Sequence, residues 1–367
     1  MSWQEELKMN VTTAEELAQY TPMTAEEIKA MNEIIERWPM SVPRYYLSLI
    51  DFKDPNDPIA KLCLPNLREI ELDDGLADQS GEGKNTKVVG LQHKYGPTAL
   101  VLSTNVCSMY CRHCFRKRLV GLPEAETAKY YSEIYDYIRS HTELTNVLVS
   151  GGDAFLNSNR RIEEILQNFS VLDHLQFIRF GTRTPVVFPE RISHDPELLD
   201  MLEKYGREKR IYVVTQYNHP KELTPESLEA IENLRRRGII VSNQTVLLKG
   251  INDDPKIISE LMRSLTANGI LPYYVFQCRP VVGVKQQFQV PLSRAYDIVS
   301  QSKVSLDGHS KRFRFIMSHE TGKIEILGKL DPATMLFKYH HAKDPANNGR
   351  IFTMPIDEST AWLPDTF

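Results

Sequence analysis

Ala99-Leu-Val-Leu-Ser103 and, three residues further on, Cys107-Ser-Met-Tyr-Cys111-Arg-His-Cys114 decide how this chain reads. The apolar run is short and continuous, as expected of a strand buried on both faces. The cysteines after it have the spacing C-x3-C-x2-C. Thiolates so placed can ligate three irons of a 4Fe–4S cluster and leave the fourth iron open to an outside chelator. Zinc is an alternative, with His113 as the fourth ligand, but His113 adjoins Cys114 and tetrahedral closure is awkward. A Cys111–Cys114 redox pair would leave Cys107 idle. The chain has five cysteines, an odd number and a poor disulfide framework.

Outward from this stretch, strand candidates at Ala99–Ser103, Val147–Ser150, Phe177–Gly181, Ile211–Gln216, Ile239–Leu247 and Pro272–Gln277 alternate with helix candidates. The helices fall at 126–141, 159–172, 195–206, 224–237, 254–268 and 292–302. Six strand–helix units predict an α/β fold with a parallel sheet and right-handed crossovers. They suit a partial (β/α)6 barrel, or a doubly wound sheet if the strand order reverses. Either way ligands gather beyond the carboxyl ends of the strands. Residues 1–96 read as an N-terminal helical and wrapping segment, with helices at Thr13–Tyr20 and Thr24–Trp38. Residues 97–302 form the barrel core and 303–367 a C-terminal β extension. In that extension Phe313–Met317 and Lys323–Gly328 pair as a hairpin, and the tail is polar and uninformative.

Charged residues are 25% and hydrophobic residues 41% of the chain, the balance of a globular protein. A net charge of -4 offers no overall basic field for nucleic acid. No apolar run approaches the roughly 20 residues that span a bilayer, and the polar, acidic start is unlike a signal peptide. The expectation is a protein of a reducing cytoplasm with neither membrane nor nucleic-acid partner. The basic run Arg112, Arg116, Lys117, Arg118 suits an anionic cofactor or substrate.

The cysteine spacing resembles that of radical S-adenosylmethionine (SAM) enzymes, and other stretches resemble the lysine 2,3-aminomutase family within them. They are Tyr45-Tyr46-Leu-Ser-Leu-Ile50-Asp51, Asp54-Pro-Asn-Asp-Pro58, Gly90-Leu-Gln-His-Lys-Tyr95, Cys107–Arg118, Ser150-Gly-Gly-Asp153, Arg183-Thr-Pro-Val186, Asn218-His-Pro220, Asn243-Gln244 and Tyr273-Tyr274-Val-Phe-Gln277-Cys278. The resemblance implies a radical SAM partial barrel in which Cys107, Cys111 and Cys114 hold the cluster. SAM chelates the open iron and yields a 5′-deoxyadenosyl radical. Ser150, Gly151, Gly152 and Asp153 match the motif at the methionine amino group, the glycines allowing close approach to the ligand. Gln244, at the end of the fifth strand, matches a SAM contact. Arg116 matches the arginine that grips the substrate carboxylate, for which a planar guanidinium is suited.

The chain also departs from that family. Aminomutases carry pyridoxal phosphate on a lysine after a glycine-rich turn; here the place reads Phe315-Ile-Met-Ser-His-Glu-Thr-Gly-Lys323, and Lys323 is either that lysine or a strand-edge charge. The arginine-rich phosphate clamp is reduced to Lys94 and Tyr95 in His93-Lys94-Tyr95-Gly96-Pro97-Thr98. The two aspartates that hold the distal ammonium of lysine are replaced by Arg279 and Ser318. Arg279 repels an ammonium and attracts an anion. The expected function is a 2,3-amino-group migration on an amino acid other than free lysine, with an electron donor such as flavodoxin or ferredoxin, in a homo-oligomer. The alternative is a pyridoxal-independent radical SAM enzyme performing another rearrangement, elimination or dehydrogenation of an anionic substrate.

Overall fold

The computed structural model describes residues 2–71, 74–123 and 126–365. Its sheet has 12 strands in chain order: β1 (Thr86–Val88), β2 (Leu91–Tyr95), β3 (Thr98–Thr104), β4 (Asn146–Gly151), β5 (Phe177–Gly181), β6 (Arg210–Thr215), β7 (Ile240–Leu247), β8 (Leu271–Gln277), β9 (Arg314–His319), β10 (Gly322–Asp331), β11 (Thr334–Ala342) and β12 (Ile351–Pro355). From β3 to β9 neighbours are parallel; β1–β3 and β9–β12 are antiparallel. The order never reverses, which rules out the doubly wound alternative.

Each strand from β3 to β8 feeds one long crossover helix: α1 (Tyr131–Ser140), α2 (Asn159–Ser170), α3 (Pro196–Glu208), α4 (Pro225–Arg236), α5 (Pro255–Ala267) and α6 (Leu292–Val304). Sequence accounts for their limits. In α4, Thr224 caps the Ser227 amide, Pro225 opens the helix, and Gly238 (φ 76°) follows its end. Ser227, Ala230, Ile231 and Leu234 form its buried stripe. The core lies between such stripes and one side of the strands, where Val147, Val149, Ile178, Phe180, Ile211 and Val213 are fully buried.

The sheet curls until its early and late strands meet through side chains. Lys94 Nζ on β2 donates to the His319 carbonyl on β9 at 2.8 Å, and Tyr95 stacks on His341 of β11 at 4.2 Å. The C-terminal part differs from expectation. β9 joins the parallel run beside β8 before turning into β10, and Ile351–Pro355 adds an edge strand, so the tail is structured. The hairpin turn shrinks to Glu320-Thr321, placing Lys323 inside β10, opposite Ser318.

The N-terminal segment wraps this chain's own barrel and clamps the cysteine loop. Asn10 Nδ2 donates to the Ser108 carbonyl at 2.7 Å, the Tyr110 amide to Ser41 O at 3.2 Å, and the Arg112 amide to Leu62 O at 2.9 Å. The basic run is paired with two carboxylates from the same segment, so Arg112, Lys117 and Arg118 have partners within the chain and Arg116 has one on its Nε edge. Glu69, fully buried, takes Arg112 Nε at 2.9 Å, Arg112 Nη2 at 2.5 Å and Lys117 Nζ at 2.7 Å. Glu82 takes Arg116 and Arg118. Burial alone would raise the Glu69 carboxyl, but the charges of Lys117 and Arg112 hold it below its ordinary value.

Removing one partner of such a buried pair strands the other charges and costs about 3–5 kcal/mol. Glu69→Gln is therefore expected to lower the urea midpoint sharply; an unchanged midpoint would show that this clamp does not hold the segment. Because the Glu69 carboxyl titrates low when folded, its contribution is present at neutral pH and is lost on acidification below the ordinary carboxylate range. The variant should lack that part of the acid dependence.

Candidate active site

The parallel strands deliver their loops to one mouth. Cys107, Cys111 and Cys114 lie on the loop after β3 as free thiols, half-buried by residue. Among the described residues no group of three His, Cys, Asp or Glu side chains is gathered closely enough to hold a metal ion. A 4Fe–4S cluster takes one thiolate on each of separate irons, and three free thiols on one loop are a donor set of the kind it uses. His113 is not a fourth ligand in this arrangement. Its Nε2 lies 3.0 Å from Gln216 Nε2 and 3.4 Å from Asn218 Nδ2, and burial keeps the ring neutral.

The motif at the end of β4 serves the cysteine loop. A Cβ on Gly151 would meet Thr104 O at 2.3 Å, and one on Gly152 would meet Val106 O at 2.3 Å. The Gly152 and Asp153 amides donate to those two carbonyls at 2.6 and 2.8 Å. Both glycines thus lie in close approach to the backbone of the cysteine loop. The Asp153 carboxylate is also engaged, accepting from Thr182 Oγ1 at 2.5 Å, the Arg183 amide at 2.7 Å and the Phe155 amide at 3.0 Å. Ser150 Oγ lies 3.4 Å from Arg116 Nη1.

Arg183, at the end of β5, was among the stretches carrying the resemblance but had no role in the sequence reading. Its Nη1 donates to Cys111 Sγ at 2.8 Å, its Nε to Gln216 O at 3.0 Å, and its Nη2 to Glu222 and, at 3.3 Å, to Tyr46 OH. Glu82 was missed as well. Arg116 Nε and Nη2 reach Glu82 Oε1 at 2.9 and 2.8 Å, so one edge of the guanidinium is taken. Burial works against ionisation of Glu82, yet the Arg116 charge and hydrogen bonds hold its carboxyl down to about 2.

A second group gathers around Lys323. Arg279 donates to Ser318 Oγ at 2.8 Å and Ser80 Oγ at 2.6 Å, and lies over Phe115 at 3.7 Å. The same ring carries Arg116 at 4.6 Å, which ties this group to the cysteine loop. Arg179 bonds Asn146 at 2.5 Å. The Lys323 ammonium sits over Tyr274 at 4.9 Å. Burial first, then the charges of Arg179, Arg279 and Lys94, lower its proton affinity to about 7. Lys94 is lowered to about 7 by burial and by Arg279 and Lys343. The structure therefore brings Lys94, Tyr95, Arg279, Ser318 and Lys323 together, as the sequence suggested, and adds Arg179. Gln244 stands opposite Tyr274 in the middle of β7, and not at a strand end. Cys63 and Cys278 are buried, with thiols raised by burial, and serve the core.

Comparison with known proteins gives the same picture. Residues 101–261 match the Radical SAM superfamily. A putative L-lysine 2,3-aminomutase of Aquifex aeolicus (strain VF5) is 41% identical over 342 residues, 93% of this chain and 91% of that one. The L-lysine 2,3-aminomutase of Clostridium subterminale is 37% identical over 85% of this chain and 73% of its own. A glutamate 2,3-aminomutase of Clostridioides difficile (strain 630) is 37% identical over 77% of this chain and 66% of its own. With a cysteine loop fit for a cluster and relatives matched along most of its length, the chain belongs to the lysine 2,3-aminomutase family of radical SAM enzymes.

Proposed function

We propose that this enzyme moves an amino group between C2 and C3 of an amino acid that carries a second anionic group, and that free lysine is not its substrate. The observation that carries the reading is the charge around Lys323. Arg179, Arg279 and Lys94 crowd it, and their hydrogen bonds go to an amide, two hydroxyls and a carbonyl. A second ammonium in that space adds to the charge of Lys94, Arg179 and Arg279, against which Glu82 and Glu320 act on Arg279 and Lys94; a carboxylate or phosphate meets several cations. That a relative acts on glutamate is in keeping with this.

When bound by Cys107, Cys111 and Cys114, a reduced cluster with SAM supplies a 5′-deoxyadenosyl radical. The chain's own residues bind and orient. Glu82 takes the Nε edge of Arg116 and fixes the guanidinium, while Nη1 makes long contacts to Ser150 Oγ at 3.4 Å and the Gly151 carbonyl at 3.3 Å, which a substrate carboxylate would displace; the second Nη2 N–H completes the grip. Lys323, with proton affinity lowered to about 7, is a neutral amine for much of the time at physiological pH and suits covalent capture of pyridoxal phosphate. Lys94 and Tyr95 close that side. A one-electron donor such as flavodoxin or ferredoxin and a homo-oligomeric assembly complete the reading. A second reading keeps the radical chemistry on an anionic substrate and dispenses with pyridoxal phosphate. It is favoured by Lys94, whose ammonium is spent on the His319 carbonyl where a phosphate clamp would be needed.

Two measurements bear on this. Among L-glutamate, L-aspartate, O-phosphoserine and L-lysine, one of the anionic amino acids is expected to turn over, with lysine slower by on the order of 100-fold or more. Turnover of lysine that Arg279→Gln leaves unchanged would refute the assignment. Borohydride trapping of pyridoxal phosphate should label Lys323 and fail in Lys323→Ala. Since the neutral amine reacts, labelling should rise as pH rises through about 7, in contrast to the 10.5 of an ordinary lysine. A wild-type protein that takes up no label at Lys323 supports the pyridoxal-independent reading.

A further inference from the structure

Arg183 is the most heavily committed side chain beside the cysteine loop. It is 8% exposed, and its guanidinium reaches four segments of the chain: the cysteine loop at Cys111, the end of β6 at Gln216, the turn after it at Glu222, and the N-terminal wrap at Tyr46. Its backbone is fixed too, because its amide donates to Asp153 Oδ2 at 2.7 Å. Tyr46, fully buried, donates to Glu222 Oε1 at 2.7 Å. Glu222 is held in turn by the Asn218 amide at 2.6 Å and the His219 amide at 3.0 Å. A neutral scaffold would need none of this. A charged fork held on three sides aims its remaining edge, Nη1, at one sulfur only 2.8 Å away.

Resting on the cluster-binding role of Cys107, Cys111 and Cys114, we propose that Arg183 is a positioning residue that tunes the cluster. Its N–H···S hydrogen bond to Cys111 stabilises negative charge on that ligand and so favours the reduced state. Hydrogen bonds to ligand sulfurs and nearby charge are among the factors that set iron–sulfur potentials. A one-electron reduction adds one negative charge to the cluster, and a fixed guanidinium against a ligand sulfur lowers the cost of that charge in a dry site. The Tyr46–Glu222 pair makes the aim depend on the N-terminal wrap, so a residue far from the cysteines in sequence contributes to the potential.

The test is a dithionite potentiometric titration of the reconstituted full-length protein, followed by EPR, with iron and sulfide content measured on the same samples. Arg183→Gln removes the charge, and Arg183→Lys keeps the charge without the fork. Tyr46→Phe loosens the aim and leaves both charges in place. With full iron content, Arg183→Gln should move the midpoint to more negative values by at least a tenfold loss in the reduction equilibrium, which is about 59 mV for one electron. Arg183→Lys and Tyr46→Phe should move it in the same direction and by less. Midpoints unchanged in all three variants at full iron content would overturn the proposal, as would loss of the cluster in all three, which would make Arg183 structural only. A wild-type protein that binds no iron would instead refute the cluster reading beneath it.

Discussion

Two buried carboxylates, Glu69 and Glu82, hold this structure's active end in place. The cysteine loop carries Arg112, Arg116, Lys117 and Arg118, and such a run of charge cannot be buried without partners. Glu69 answers Arg112 and Lys117; Glu82 answers Arg116 and Arg118. Both acids come from short helices, Arg68–Glu71 and Glu82–Asn85, in the segment before the sheet. The wrap is therefore a working part of the site. It supplies the countercharge that lets a basic loop lie in a dry mouth, and it sets which edge of Arg116 remains available.

The interior beyond the loop is built on the opposite imbalance. Where the loop's cations are ion-paired, Arg179, Arg279 and Lys94 act on Lys323 and hydrogen-bond neutral groups, with Glu82 and Glu320 the acids that act on Arg279 and Lys94. A cation cluster left unmatched in a buried space raises the free energy of the empty protein and lowers that of a bound anion. The lowered proton affinities of Lys94 and Lys323 are the visible cost of that arrangement. Two sets of basic residues thus line the site, one ion-paired to buried carboxylates and one hydrogen-bonded to neutral groups, and the proposed preference for an anionic substrate rests on the second.

Much of this was legible in the sequence. Apolar runs such as Val147–Ser150 and capped helices such as Thr224–Gly238 carry their own signals, so the barrel units could be placed within a few residues. The cysteine spacing marked the loop as a candidate cluster site, and Arg279, Ser318 and Lys323 were picked out before the structure brought them together. Glu69, Glu82 and Arg183 were not found as site residues, because their roles come from contacts across tens of residues: a glutamate in a four-residue helix shows no periodicity to betray its partner. The ion pairs of the basic run escaped for the same reason. Short strands such as Leu91–Tyr95 and Ile351–Pro355 escaped because edge pairing, not pattern, makes them strands.

The central claim is that the loop from Cys107 to Cys114 turns SAM into a radical source. Its most direct test is anaerobic: reconstitute the protein with iron and sulfide, reduce it with dithionite, add SAM and assay 5′-deoxyadenosine. The account predicts a broad absorbance band near about 400 nm, as expected of a 4Fe–4S cluster, and 5′-deoxyadenosine that disappears in Cys111→Ala. A protein that takes up no iron, or holds a cluster yet leaves SAM intact, would contradict it.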